Sequence, residues 1–212
     1  MSMAPIRNIV FDLDGTLYRN DELQREITST AENLIAVSRG LSLAAARKLL
    51  QQSRRRLAES RDEEPTLSLT CLELGIAIDD LHDAFRQNVR PERYLVHDPV
   101  LQALLEALSA SYDLYIYSNN NLFLARKILK ILGVDACFFG LYTIEFSGVP
   151  KPDEETLQKV LSEISGPLES FLFVGDRVHV DLQLPARLGI RTMVARETAD
   201  LLQIFQLLGL MP

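Results

Sequence analysis

The chain has 212 residues, 47% of them hydrophobic, and a formal net charge of −7. That length fits one large domain, or a core domain with a smaller insertion, and the apolar content excludes a disordered composition. The negative charge argues against electrostatic binding of a nucleic-acid polymer, but a small anionic ligand can still be met by a locally positive pocket.

In chain order, residues 6–11 read as a short buried strand. From Tyr18 to Arg90 the pattern becomes helical, without a convincing strand. Asp21–Ser38 carries Leu23, Ile27, Leu34 and Ile35 at helical spacing, and Ser42–Ser60 opens on a capping serine. Leu67–Leu74 stops at Gly75, and Asp79–Val89 stops before Pro91. Beyond Pro99, helices and apolar segments alternate. The spacing predicts a helix at Val100–Ala110, a strand at Leu114–Tyr117, a helix at Leu122–Leu132 and a strand near Leu141–Ile144. A helix at Glu154–Ile164, a strand at Phe171–Val174 and a short helix between Asp181 and Gly189 follow. A strand at Ile190–Val194 and a helix at Leu201–Leu208 end the series. Such alternation implies an α/β fold with a parallel sheet covered by helices, and the all-helical stretch reads as an insertion after the first strand. The expected division is a core of residues 1–17 and 91–212 and a helical cap of residues 18–90.

Cys71 and Cys137 lie far apart and lack metal-type spacing, so they read as unpaired packing thiols in a reducing compartment. Met1–Arg7 has no basic stretch followed by an apolar one, and no apolar run approaches a membrane span. A soluble cytoplasmic protein with no membrane partner is the expectation. No feature of the chain reports an oligomeric state.

The chemistry concentrates where strands end. Asp12 and Asp14 follow Ile9-Val10-Phe11, and alternate residues of an extended chain share a face, so both carboxylates point the same way. Like charges held that close need a cation or a shared proton. Asp-x-Asp-Gly alone is also a common polar turn, and part of a calcium loop. The calcium version fails here, because Leu17 and Leu23 stand where that loop needs glycine and glutamate. Ser118-Asn119-Asn120 follow the second strand, and Lys151 lies between Pro150 and Pro152. Gly175-Asp176 and Asp181 follow the strand at Phe171–Val174. Taken singly, Ser118, Asp176 and Asp181 could be helix caps and Lys151 a solvated turn residue. In an open parallel sheet, however, ligands bind beyond the carboxyl ends of the strands.

Asp12-Leu13-Asp14-Gly15-Thr16, Ser118, Lys151 and Gly175-Asp176 with Asp181, in that order, resemble the four motifs of the haloacid dehalogenase superfamily. The likeness spans nearly the whole chain. It implies a three-layer core around a five-stranded parallel sheet, a helical cap inserted after the first motif, and a hydrolase. By that resemblance Asp12 is the nucleophile, and Asp14 the acid that protonates the leaving oxygen and then the base that activates water. Ser118 and the main-chain N–H of Asn119 hold phosphoryl oxygens, and Lys151 holds the phosphate and balances Asp12. Mg²⁺ is held by Asp12, Asp176 and the carbonyl of Asp14, with Asp181 supporting from behind, and Thr16 steadies the loop. Phosphate-transferring members carry the second aspartate and the dehalogenases that name the superfamily do not, so Asp14 favours a phosphomonoester as substrate.

Phe11–Tyr18, Ser118-Asn119-Asn120 and Tyr142–Glu145 most resemble pyrimidine 5′-nucleotidase-like members, which makes a nucleoside 5′-monophosphate the leading small phosphorylated metabolite. A phosphomutase or phosphotransferase would use the same residues, and a non-catalytic phospholigand-binding member is the third reading. Arg54-Arg55-Arg56 with Arg47, Lys48 and Arg61 reads as a solvated helix face or part of an anion pocket. Arg177 either pairs with a carboxylate or narrows the pocket, and His179 reads as a solvent-facing loop residue. Tyr18 and Arg19 are candidate substrate contacts, with packing an equal reading for Tyr18.

Overall fold

The computed structural model describes residues 5–61 and 64–210. The Met1–Ala4 portion of the leader reading and the side chain of Arg61 lie outside them. β1 spans Asn8–Phe11 and is buried at every position. A helical insertion follows: α1 (Asp21–Arg39), α2 (Leu43–Arg61), α3 (Leu67–Glu73) and α4 (Ile78–Asn88). Then come α5 (Pro99–Ser109), β2 (Asp113–Tyr117), α6 (Leu122–Leu132), β3 (Gly140–Tyr142) and α7 (Glu154–Ile164). The chain continues through β4 (Phe171–Gly175), α8 (Gln183–Arg187), β5 (Arg191–Val194) and α9 (Leu202–Leu207). The described residues form two compact units, one within Met1–Arg19, Leu95–Ser147 and Lys151–Pro212, the other Asn20–Tyr94 with Gly148–Pro150.

In the first unit the five strands make one all-parallel sheet of order β3-β2-β1-β4-β5. Val10 lies opposite Tyr115 on one side and Phe173 on the other. These residues share a face and pack with Tyr117, Leu157, Val160, Phe171, Leu182 and Ile190. The alternate residues Ile9, Phe11 and Ile116 are fully buried as well. A parallel strand covered on both faces has no polar side to show, which is why β1 and β4 read as continuous apolar runs. β1 and β4 therefore end among buried groups, and any polar residue just past them needs a partner.

The helix boundaries follow from capping chemistry. Asn20 Oδ1 accepts from the N–H groups of Glu22 and Leu23 at 3.0 and 2.9 Å, and α1 closes on Gly40 at φ 63°. Ser42 caps α2 through the N–H of Ala45 at 3.2 Å, and Thr66 caps α3 through Leu69 at 3.1 Å. In the helical unit Leu23, Ala31, Ile35, Ala46, Cys71, Leu81 and Phe85 are buried. Arg54, Arg55 and Arg56 are exposed, with Arg54 3.0 Å from Glu64, so this stretch is a solvated face. Among the described residues no helix is long and apolar enough to cross a membrane, and both cysteines are free and buried.

Two expected elements shift. The strand placed at Leu141–Ile144 is Gly140–Tyr142, followed by a 3₁₀ turn at Ile144–Phe146. It leaves the sheet because the Ile144 N–H donates to the Asn120 carbonyl at 3.1 Å instead of continuing the ladder. The helix expected after Asp181 begins earlier, as a π-helical turn at Val178–Leu182 that contains Asp181 and runs into α8. Asp181 Oδ2 accepts from the Arg177 N–H at 3.1 Å and closes that turn on itself. His179 consequently lies half-buried in a helical turn, not in a solvent-facing loop.

Tyr117 ends β2 with its hydroxyl buried and without a hydrogen-bond partner. A buried hydroxyl left unsatisfied costs about 1–3 kcal/mol. Tyr117→Phe is therefore expected to match or exceed the parent in chemical denaturation. A loss of more than about 1 kcal/mol would show that the hydroxyl is satisfied.

Candidate functional site

The site is assembled from the carboxyl ends of β1, β2 and β4 and the Lys151 segment. The Asp12 N–H still pairs with the Val174 carbonyl at 2.8 Å, so the Asp12 side chain leaves from sheet-like backbone and is only 5% exposed. Lys151 meets it there. The buried ammonium donates to Asp12 Oδ1 and Asp181 Oδ1 at 2.8 Å each and to the Tyr117 carbonyl at 2.7 Å. All three N–H bonds are used, and the ammonium also lies 5.0 Å from the centre of the Tyr117 ring. Asn119 holds the lysine backbone from both sides: its Oδ1 accepts from the Lys151 N–H at 2.7 Å, and its Nδ2 donates to the Lys151 carbonyl at 3.4 Å.

Asp14 faces different partners. Gly15 takes φ 98°, a conformation glycine adopts freely, and its N–H donates to the Tyr18 carbonyl at 2.9 Å. The turn returns the Tyr18 hydroxyl to Asp14 Oδ1, to which it donates. Asn120 Nδ2 donates to the same carboxylate at 3.1–3.3 Å, and Ser118 Oγ lies 3.5 Å from Oδ2. Leu13, between the two aspartates, is fully buried, as their alternation requires. Thr16 Oγ1 donates to Asp12 Oδ2 at 3.2 Å, so it touches Asp12 directly as well as bracing the loop.

Carboxylate oxygens of Asp12, Asp176 and Asp181 all lie within 4.8 Å of one another. Among the described residues Oδ1 of Asp176 is buried without a hydrogen-bond partner, and Arg177 Nε stands 3.8 Å away. A buried carboxylate oxygen with that little company fits a hard cation, and an all-oxygen donor set suits Mg²⁺. Two glycines make room. A Cβ on Gly15 would lie 2.6 Å from Asp176 Oδ2, and one on Gly175 2.5 Å from Asp181 Cβ. The Asp14 carboxylate is not in the trio, and Asp181 is engaged by Lys151 and by the Arg177 backbone.

Burial sets the electrostatics of the three carboxyls Asp12, Asp14 and Asp176. Burial pushes Asp12 up to about 7 against the pull of Lys151, and Asp181 and Asp14 add to the rise. Burial likewise raises Asp14, offset in part by the hydrogen bonds from Tyr18 and Asn120, and it raises Asp176 against Arg177. For Lys151 burial works against the charge, but Asp12 and Asp181 outweigh it and hold the ammonium protonated beyond the usual lysine range. Tyr18 is raised well above the usual tyrosine value by burial and by Asp14, so its hydroxyl remains a donor.

Of the residues that sequence reasoning singled out, Asp12, Asp14, Ser118, Asn119 and Asp176 follow directly on β1, β2 and β4, Asp181 lies in the helical turn after β4, and Lys151 sits on an irregular segment beyond β3. That reasoning did not assign Asn120 and Tyr117 a part, and it left Tyr18 between packing and substrate contact. The available signal was positional, since Asn120 shares its strand end with Ser118 and Gly15 marks the turn that returns Tyr18.

A sequence model of haloacid dehalogenase-like hydrolases matches residues 6–189. The chain belongs to that family. The hydrolase is 29% identical over 177 residues to the (S)-2-haloacid dehalogenase H-109 of Pseudomonas putida, covering 81% of this chain and 78% of that protein. Among solved structures it is similar to the HAD phosphatase of Thermococcus onnurineus, with 17% identity, coverage of 96% and 98%, and a TM-score of 0.61. The magnesium-bound HAD-hydrolase YfnB of Bacillus subtilis gives 19% identity, coverage of 97% and 100%, and a TM-score of 0.59. At such identities the structures report the fold.

The raised carboxyls define a pH dependence. A carboxyl whose folded pKa lies above its unfolded value takes up a proton on folding, so its contribution is present below about pH 4 and is lost as pH rises through about 7. A cation at Asp12 and Asp176 needs the deprotonated forms. Added Mg²⁺ should raise the melting temperature by a few degrees at about pH 8 and much less at about pH 5.5. Equal shifts at both pH values would contradict this placement.

Proposed function

We propose that this hydrolase is a Mg²⁺-dependent phosphomonoesterase that works through an aspartyl-phosphate on Asp12. The observation that carries this reading is Asp14, a second carboxylate two residues on, held separately from Asp12 by Tyr18 and Asn120. In the superfamily that second aspartate accompanies phosphate transfer and is missing from the dehalogenases that name it. The Pseudomonas relative makes dehalogenation the second reading. It would need no acid at a leaving oxygen, because halide departs without a proton, and it would leave Asp14 without a task.

The proposed roles are those the family resemblance implies, and the geometry is compatible with them. Asp12 attacks phosphorus while Asp14 delivers a proton to the departing ester oxygen, and Asp14 then takes a proton from the water that cleaves the aspartyl-phosphate. Lys151, protonated and fixed through Asn119, opposes the negative charge gathered at Asp12. Ser118 and the Asn119 N–H receive phosphoryl oxygens. Mg²⁺, held by Asp12 and Asp176 with the Asp14 carbonyl, would screen the repulsion between carboxylate and phosphate. Asp181 keeps Lys151 in place. The helical unit Asn20–Tyr94 is the proposed cap that selects substrate, and a nucleoside 5′-monophosphate is the leading candidate. A phosphomutase would use the same residues but would require a second phosphoryl acceptor.

A panel of nucleotides, sugar phosphates and 2-haloacids, each with Mg²⁺ and with EDTA, tests this directly. Phosphate release dependent on Mg²⁺, no halide release, and a fall in kcat of about a thousandfold or more in Asp12→Asn are expected. Halide release would overturn the phosphatase reading. Turnover dependent on an added bisphosphate would favour the mutase.

A further inference from the structure

Among the described residues the Tyr18 hydroxyl makes its hydrogen bond to Asp14. The backbones of Asp14 and Tyr18 pair as an isolated parallel bridge, closed by the Gly15 N–H on the Tyr18 carbonyl at 2.9 Å. This turn carries the phenol back over the first motif. The ring is 9% exposed, so it offers little surface to a substrate. Asn120 completes the hold. Its Oδ1 accepts from the Asn121 N–H at 2.9 Å, which directs the amide NH₂ toward Asp14. Oδ1 of Asp14 thereby meets both the phenol and the amide, whereas Oδ2 faces the amide and, at 3.5 Å, Ser118 Oγ.

We infer that Tyr18 is a positioning residue for proton transfer: its hydroxyl pins Oδ1 of Asp14, Asn120 spans the two oxygens and fixes the plane of the carboxyl, and Oδ2, on the Ser118 side, serves the leaving oxygen. This rests on the phosphomonoesterase reading. As an oxygen of Asp12 bonds to phosphorus, the ester P–O bond breaks and its electron pair stays on the leaving oxygen. The proton on Oδ2 passes to that oxygen. Asp14 becomes a carboxylate, and its Oδ1 accepts from Tyr18 and Asn120 without turning. Water then forms a bond to phosphorus, the bond from phosphorus to Asp12 breaks, and the water proton returns to Oδ2. Without the phenol hydroxyl, rotation about the Cβ–Cγ bond of Asp14 exchanges the two oxygens, and fewer molecules are poised for transfer.

A proton matters most when the leaving oxygen is strongly basic. Phenyl phosphate and 4-nitrophenyl phosphate differ little in shape but greatly in that basicity. The experiment measures kcat/KM, which covers steps up to departure of the leaving group, for both esters in the presence of Mg²⁺. Tyr18→Phe keeps the ring and removes only the hydroxyl. We expect about a tenfold or greater loss on phenyl phosphate and less than about threefold on 4-nitrophenyl phosphate. Asn120→Ala should show the same skew, and it carries the test if Tyr18→Phe does not fold. Equal losses on both esters, or no loss on either, would overturn the inference while leaving the phosphatase reading intact. A parent protein that releases phosphate from neither ester, nor from any nucleotide or sugar phosphate, overturns that reading, and the inference with it.

Discussion

The buried ammonium of Lys151, shared between Asp12 and Asp181, is the contact on which the rest of the site depends. Removing one partner from such a group strands a charge in the interior, which costs about 3–5 kcal/mol, so the three residues stand or fall together. Each comes from a different part of the chain. Asp12 ends β1, Asp181 lies in the helical turn after β4, and Lys151 sits on an irregular segment. An irregular segment does not hold a side chain by itself. Asn119 supplies the missing support by gripping the Lys151 backbone at its N–H and carbonyl.

That arrangement separates two aspartates that begin as neighbours. Asp12 faces the charge: Lys151 bonds it and, with Asp176 and Asp181, it forms a group of oxygens that could hold a metal ion. Asp14 is given to neutral donors, Tyr18 and Asn120. The difference is set by the alternation of an extended strand followed by a glycine turn, which sends the chain away from Asp12 immediately after Asp14. Room is made by the absence of side chains, since Gly15 admits Asp176 and Gly175 admits Asp181. A larger residue at either glycine would push a carboxylate out of place.

Much of this was legible in the residues. Continuous apolar runs at Ile9–Phe11 and Phe171–Val174 identify strands buried on both faces, and Ser42 and Gly75 mark helix ends. Strand ends then collect the polar residues into one place without any need for side-chain detail. What was not legible depends on which polar groups the folded chain brings into contact. Ile144 leaves β3 because Asn120, from another strand end, takes its N–H. Asp181 enters a π-helical turn because its own carboxylate closes on Arg177. The apolar pattern of Tyr142–Ile144 or Val178–Leu182 reports neither event. The partnership of Tyr18 with Asp14 was hidden for the same reason, as a tyrosine beside a buried turn serves packing equally well.

The chain is similar both to a haloacid dehalogenase and to a HAD phosphatase, and the proposed function makes Asp12 its nucleophile. What distinguishes this chain is the covalent species expected on that residue. Acid-quenched protein, mixed for milliseconds with 4-nitrophenyl phosphate and Mg²⁺ and digested, can be read by mass spectrometry. The account predicts one acid-stable, base-labile phosphoryl group on the peptide carrying Asp12, absent from Asp12→Asn. Phosphate released with no such adduct, or a phosphoryl group on another residue, would contradict it.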